Sequence, residues 1–149
     1  MRKAKLLIVE DDPNLLVGLR DILTLDNYQV LTAENGKQGL EILQREVEIP
    51  PDLIVSDIMM PQMDGLEFLQ RVRLEDKWVR IPFIFLTAKG EKTDIQQGKA
   101  LGVDDYLVKP FDADDLLLAV DAKLRRHQKI SQVQEGQIHE LKRNILTIL

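Results

Sequence analysis

Four short runs of apolar, β-branched or aromatic residues end in side chains that together could handle a phosphoryl group. Residues 6–9 lead into Glu10, Asp11 and Asp12, residues 53–55 into Ser56 and Asp57, residues 81–86 into Thr87, and residues 106–108 into Lys109 and Pro110. If these runs are neighbouring parallel strands, their polar ends converge, because open α/β sheets bind ligands outside the carboxyl ends of their strands. Carboxylates packed together repel one another, and a shared cation relieves the repulsion. The donors are all oxygens, with no His or Cys among them, so the cation is a hard one, Mg2+ or Mn2+. A lysine and a hydroxyl at the same centre supply a counter-charge and a hydrogen-bond donor for phosphoryl oxygens. An aspartate nucleophile that forms an acyl phosphate uses every one of these parts.

Holding four strand ends together requires strands and helices in alternation. Pro13 suits a first helical turn with Asp12 as N-cap, and Leu15, Leu16, Leu19, Ile22 and Leu23 follow at helical spacing. Residues 28–32 read as a second strand. Asn35 caps a helix that turns Leu40 and Leu43 inward, and Pro50 and Pro51 end that segment. A third helix begins near Asp64 with Leu66, Phe68, Leu69 and Val72 apolar, a weaker one covers 92–101 with Gly102 as its C-terminal cap, and Asp112 opens the last. Five strands alternating with five helices predict a doubly wound α/β fold, a five-stranded parallel sheet with helices on both faces.

The chain has 149 residues, one domain's worth with room for a short appendage. Without cysteine it has no disulfides, thiolate ligands or cysteine nucleophile. Twenty basic against 25 acidic residues leave a net charge of −5, which opposes nonspecific binding to nucleic acid or to an anionic membrane. The longest apolar runs, 6–9 and 116–120, fall far short of the ~20 residues that span a bilayer. A cytoplasmic chain is expected, with no contact to nucleic acid or membrane. Met59, Met60 and Met63 read as loop packing, His127 and His139 as solvated, and Lys123, Arg125, Arg126 and Lys129 as a helix surface.

Four ordered blocks, LIVEDDP at 7–13, DIMMPQMDG at 57–65, Thr87 with Ala88, and DDYLVKPF at 104–111, resemble the receiver domain of two-component response regulators over about residues 3–124. The resemblance implies a flavodoxin-like sheet of order 2-1-3-4-5, with Asp57 as phosphoacceptor and Glu10 and Asp11 as the acidic pair that serves the metal. By the same resemblance the Met59 carbonyl is a further metal ligand, Thr87 and Lys109 contact the phosphoryl group, and Tyr106 is the aromatic switch residue. Thr87 and Lys109 lie 30 and 52 residues after Asp57, separations normal for the family. The implied function is Mg2+-dependent transfer from a histidine kinase or phosphotransfer protein to Asp57, switching the surface of helix four, strand five and helix five, with no independent substrate turnover. Glu10 replaces the more frequent Asp, which suggests a water-mediated metal contact. Leu101 and Val103 replace common alanines, which suggests a differently shaped helix-four face. A flavin-phosphate binder of the same topology would be repelled by Glu10 and Asp11. A haloacid-dehalogenase-type phosphatase needs a second Asp two positions after its nucleophile, where this chain has Met59.

The expected division is a receiver over 1–124 and a helical extension or linker over 125–149. Between 124 and 149 there is no Pro and only Gly136 as a breaker, which predicts a helix projecting roughly 38 Å. Seven-residue steps through Leu117, Leu124, Ser131, Ile138 and Ile145, and through Val120, His127, Gln134, Leu141 and Ile148, give a stripe that is apolar at both ends. This suggests a weak parallel coiled coil and a homodimer; an amphipathic helix folded back on the receiver is the alternative. The stretch 140–149 (ELKRNILTIL) resembles the helix that leads into the phosphoacceptor histidine of sensor kinases. The pattern breaks off in mid-repeat, so a further module is expected: a histidine kinase, as in a hybrid kinase with an N-terminal receiver, or alternatively DNA-binding output or a stand-alone protein-binding receiver.

Overall fold

The computed structural model describes residues 3–88 and 92–148. The elements alternate as β1 (Lys5–Val9), α1 (Pro13–Leu25), β2 (Gln29–Ala33), α2 (Gly36–Arg45), β3 (Leu53–Asp57), α3 (Gly65–Leu74), β4 (Phe83–Ala88), α4 (Lys92–Ala100), β5 (Asp105–Lys109) and α5 (Ala113–Ile148). The strands form one parallel sheet in the order β2-β1-β3-β4-β5.

β1 and β3 are buried along their whole length because helices cover the sheet on both faces. Strand alternation sends Leu7, Val9, Ile54, Phe83 and Phe85 to one side, where they pack with Leu43, Phe68, Leu69 and Val72 of α2 and α3. Leu6, Ile8, Val55, Ile84 and Leu86 face the other side and meet Leu19 and Leu23 of α1 and Leu116 and Val120 of α5. Each such side chain contributes about 1.5–3 kcal/mol of burial.

The caps follow the residues that suit them. The Asp12 carboxylate accepts from the amides of Asn14 and Leu15 with Pro13 in the first turn, the Asn35 side chain from Gln38 N, and that of Asp64 from Glu67 N. Asp112 and Asp115 cap α5 reciprocally, each accepting the other's amide. Gly102 ends the α4 segment at φ +87°, a left-handed conformation that a Cβ disfavours.

Three details depart from the sequence reading. β4 starts at Phe83, because Ile81 belongs to a turn, its amide bonded to the Trp78 carbonyl and its own carbonyl to Arg73. β2 runs one residue later than expected. His127, expected in solvent, lies partly buried in a groove with Pro82, Asp104 and Ile130.

Met60 and Met63 pack against the core as expected of loop methionines, and so do Leu101 and Val103, whereas Met59 is exposed. α5 is one helix of 36 residues, about 54 Å long. Leu124 is the last α5 residue packed against the core; beyond it Ile138, Leu141, Ile145 and Ile148 are exposed. Among the described residues no helix is long and apolar enough to cross a membrane.

Candidate functional site

The parallel register brings the carboxyl ends of β1, β3, β4 and β5 to one edge of the sheet. Glu10 extends the β1 ladder by donating its amide to the Ala33 carbonyl on β2, 3.0 Å away, and its side chain is fully buried. Asp57 is the last residue of β3. Its Oδ1 accepts from Ile58 N at 2.8 Å, and Lys109 Nζ at the end of β5 reaches its Oδ2 at 3.3 Å. The same ammonium lies 3.1 Å from Glu10 Oε1, so one lysine serves two carboxylates. Asp11, exposed beside them, donates its amide to Glu10 Oε2 at 3.0 Å. Oxygens of Glu10, Asp11 and Asp57 lie within 4.8 Å of one another, close enough to ligate one ion. Their donor chemistry and surplus negative charge fit Mg2+.

The electrostatics express that surplus. Burial, together with the hydrogen bond and charge of Asp57, raises the Glu10 carboxyl to about 8 against the opposing pull of Lys109. Burial works against the charge on Lys109, yet its hydrogen bond to Glu10 and the charges of Asp57 and Glu10 hold its pKa above the usual lysine value.

Thr87, on β4 beside Asp57, is fully buried, and its hydroxyl oxygen has no hydrogen-bond partner among the described residues. Tyr106, near the start of β5, donates its hydroxyl to the Ile95 carbonyl of α4. Met59 stands two residues beyond Asp57 in the exposed loop. Glu10, Asp11, Asp57, Thr87 and Lys109 thus share one edge as the sequence suggested, while Tyr106 is engaged with α4.

Two supporting residues carried no role in the sequence reading. A Cβ at Gly65 would lie 2.2 Å from the Asp57 carbonyl oxygen, so glycine is what lets α3 start so close behind the site, with Gly65 N bonded to Ile58 O at 2.7 Å. Ser56 is buried and donates its hydroxyl to the Asp57 carbonyl at 2.8 Å. Gly65 closes the second sequence block and could have been noticed there; Ser56 left no signal of its own.

The comparisons with known proteins agree with this geometry. Residues 6–121 match the response regulator receiver domain family. Probable transcriptional regulator ycf27 of Porphyra purpurea is 40% identical over 130 residues, covering 87% of this chain and 51% of the relative. The DNA-binding dual master transcriptional regulator RpaA of Synechocystis sp. is 39% identical over 128 residues, covering 86% and 52%. The chain therefore spans about half the length of the curated relatives it matches. Among solved structures, the chemotaxis response regulator CheY4 of Vibrio cholerae superposes with a TM-score of 0.75 at 33% identity, covering 81% of this chain and 98% of that one. The signal receiver domain of a signal transduction histidine kinase from Syntrophus aciditrophicus gives 0.70 at 32% identity, covering 83% and 89%. With its parallel sheet, its acidic edge and these matches, the chain belongs to the response regulator receiver domain family.

Proposed function

We propose that Asp57 takes a phosphoryl group from a phosphohistidine of a histidine kinase or phosphotransfer protein and that the chain passes this state on as a change of surface. The observation that carries the reading is the clustering of three carboxylates at one edge, two of them, Glu10 and Asp57, paired with one lysine. An Asp57 carboxylate oxygen attacks phosphorus in line, the P–N bond breaks, and the imidazole departs with a proton. Glu10, Asp11, Asp57 and the Met59 carbonyl would hold Mg2+, Glu10 through water. When bound, the ion neutralises the acidic edge so that an anionic donor can approach.

Lys109 follows the new phosphoryl oxygens, and the Thr87 hydroxyl donates to them, satisfying a group that otherwise lacks a partner among the described residues. Drawing Thr87 toward the phosphoryl group frees space for Tyr106 and shifts the equilibrium of the α4–β5–α5 face. Met59 occupies the position where a turnover phosphatase carries an acid/base carboxylate, so the chain acts as a phosphoacceptor and not as a catalyst of a separate substrate.

Output is read from neighbours. The relatives named as transcriptional regulators favour DNA-binding output, while the unbroken α5 favours output coupled through a helix, as in a kinase with an attached receiver.

Incubation with acetyl phosphate and Mg2+ is expected to add one phosphate by intact mass, and Asp57→Asn to prevent it. Equal labelling of the variant would overturn the assignment.

A further inference from the structure

We propose that Gly98 of α4 is the docking slot for the Tyr106 hydroxyl, a latch that holds the switch side chain on α4 and sets how readily it leaves. The proposal rests on the phosphoacceptor reading above and adds to it the residue that positions Tyr106 before phosphorylation.

Tyr106 is paired with Phe85 across β4 and β5, their ring centroids 6.0 Å apart, and Thr87 lies two residues further along β4 on the same face. The phenol turns into α4, where its hydroxyl donates to the Ile95 carbonyl. A Cβ at Gly98 would lie 2.4 Å from the Tyr106 oxygen and 3.0 Å from Phe85 Cε2. A residue with a side chain fits there only if the tyrosine withdraws and Phe85 gives way by a few tenths of an ångström.

The backbone of Gly98 gives no other reason for glycine. Its φ is not positive, and glycine inside a helix of nine residues weakens that helix. Gly18 and Gly136, also in helices, have nothing within 4 Å of a built Cβ, so close approach distinguishes Gly98 from them. The phenol oxygen fills the volume the glycine leaves open, tying β5 to α4. To move toward Thr87, Tyr106 must give up the Ile95 carbonyl and leave the slot. Latch and switch therefore compete for one ring.

The test is a cycle of Gly98→Ala, Tyr106→Phe and the double variant, read by thermal melting and by 19F NMR of 3-fluorotyrosine. The chain has two tyrosines, so Tyr28 supplies a second resonance as reference. Gly98→Ala is expected to lower Tm in the wild-type background and to lower it clearly less in the Tyr106→Phe background, where the contact with Phe85 remains but that with the phenol oxygen is gone. It should move the Tyr106 resonance, leave that of Tyr28 in place, and reduce the further change on adding Mg2+ and beryllofluoride. Failure of Gly98→Ala to fold, with recovery in the double variant, also supports the latch. An equal change in Tm in both backgrounds, rise or fall, or an unmoved Tyr106 resonance would overturn it, as would failure of both glycine variants to fold. Beryllofluoride leaving wild type unchanged while the cycle behaves as expected would overturn the phosphoacceptor reading and leave the latch standing.

Discussion

The two edges of the sheet use charge in opposite ways. At the amino edge the polar groups are tied repeatedly to fixed partners. Lys5 Nζ donates to Glu46 Oε2 at 3.1 Å and to the Ile49 carbonyl at 2.7 Å, while its amide bonds to Asp52. Arg73 bridges the carbonyls of Val79, Ile81 and Gly102 and the Asp104 carboxylate, and Asp104 also accepts from Phe83 N at 2.7 Å. At the carboxyl edge, Glu10, Asp11 and Asp57 crowd together, only Glu10 and Asp57 reaching Lys109, and the Thr87 hydroxyl beside them has no partner among the described residues. The first arrangement fastens loops to strands. The second leaves negative charge and a donor unsatisfied at one centre, which suits a cation and a phosphoryl group and serves stability poorly.

Breaking the fastened edge is expected to have the largest effect on folding. Arg73→Ala removes several hydrogen bonds and the ion pair to Asp104 at once, leaving three loop carbonyls without this donor, at a cost of about 3 kcal/mol, or roughly 6–12 °C in Tm. Thermal melts check this, and acyl phosphate formation below the new Tm should persist.

The carboxyl edge should respond in the other direction. Glu10 keeps a proton in the fold at pH values where the unfolded chain has lost it, because its pKa is raised from 4.5 to about 8 by burial and by Asp57. Stability of the metal-free protein therefore falls as pH rises through that window. Glu10→Gln is expected to raise stability by about 1 kcal/mol at pH 8 and to change little at pH 5, where Glu10 already carries its proton. Denaturant melts at the two pH values test the sign; a loss at pH 8 would mean that the pair with Lys109 outweighs the crowding.

The smallest folding effect belongs to Thr87→Val, within about 0.5 kcal/mol, because it keeps the buried shape and the hydroxyl removed makes no hydrogen bond among the described residues. Its consequence should emerge after phosphorylation, as a weakened response of Tyr106 in NMR.

The carboxyl edge was the more legible of the two. Apolar runs ending in Glu10, Asp57, Thr87 and Lys109 announce strands and site at once, because a strand buried on both faces stops where a functional side chain must reach solvent. Asp12, Asn35 and Gly102 are local signals, readable because a cap acts within one turn. Arg73 was not legible, since its role depends on carbonyls 6, 8 and 29 residues away. Gly98 was obscure for the same reason, as a glycine does not reveal which distant atom fills its missing side chain, whereas Gly65 at least closes a sequence block. Where β4 begins was misread because Ile81 is apolar in a turn as it would be in a strand. The extension was legible as a helix, because its residues carry no Pro and one Gly.

The most direct test of the contrast is a 15N–1H NMR titration with Mg2+ and then beryllofluoride. The amides of Glu10, Asp11, Asp57, Ile58, Thr87 and Lys109 are expected to shift first, Tyr106 and α4 to follow on adding beryllofluoride, and Lys5, Arg73 and Asp104 to stay in place. Shifts centred on Lys5, Arg73 and Asp104, or none at the acidic edge, would contradict it.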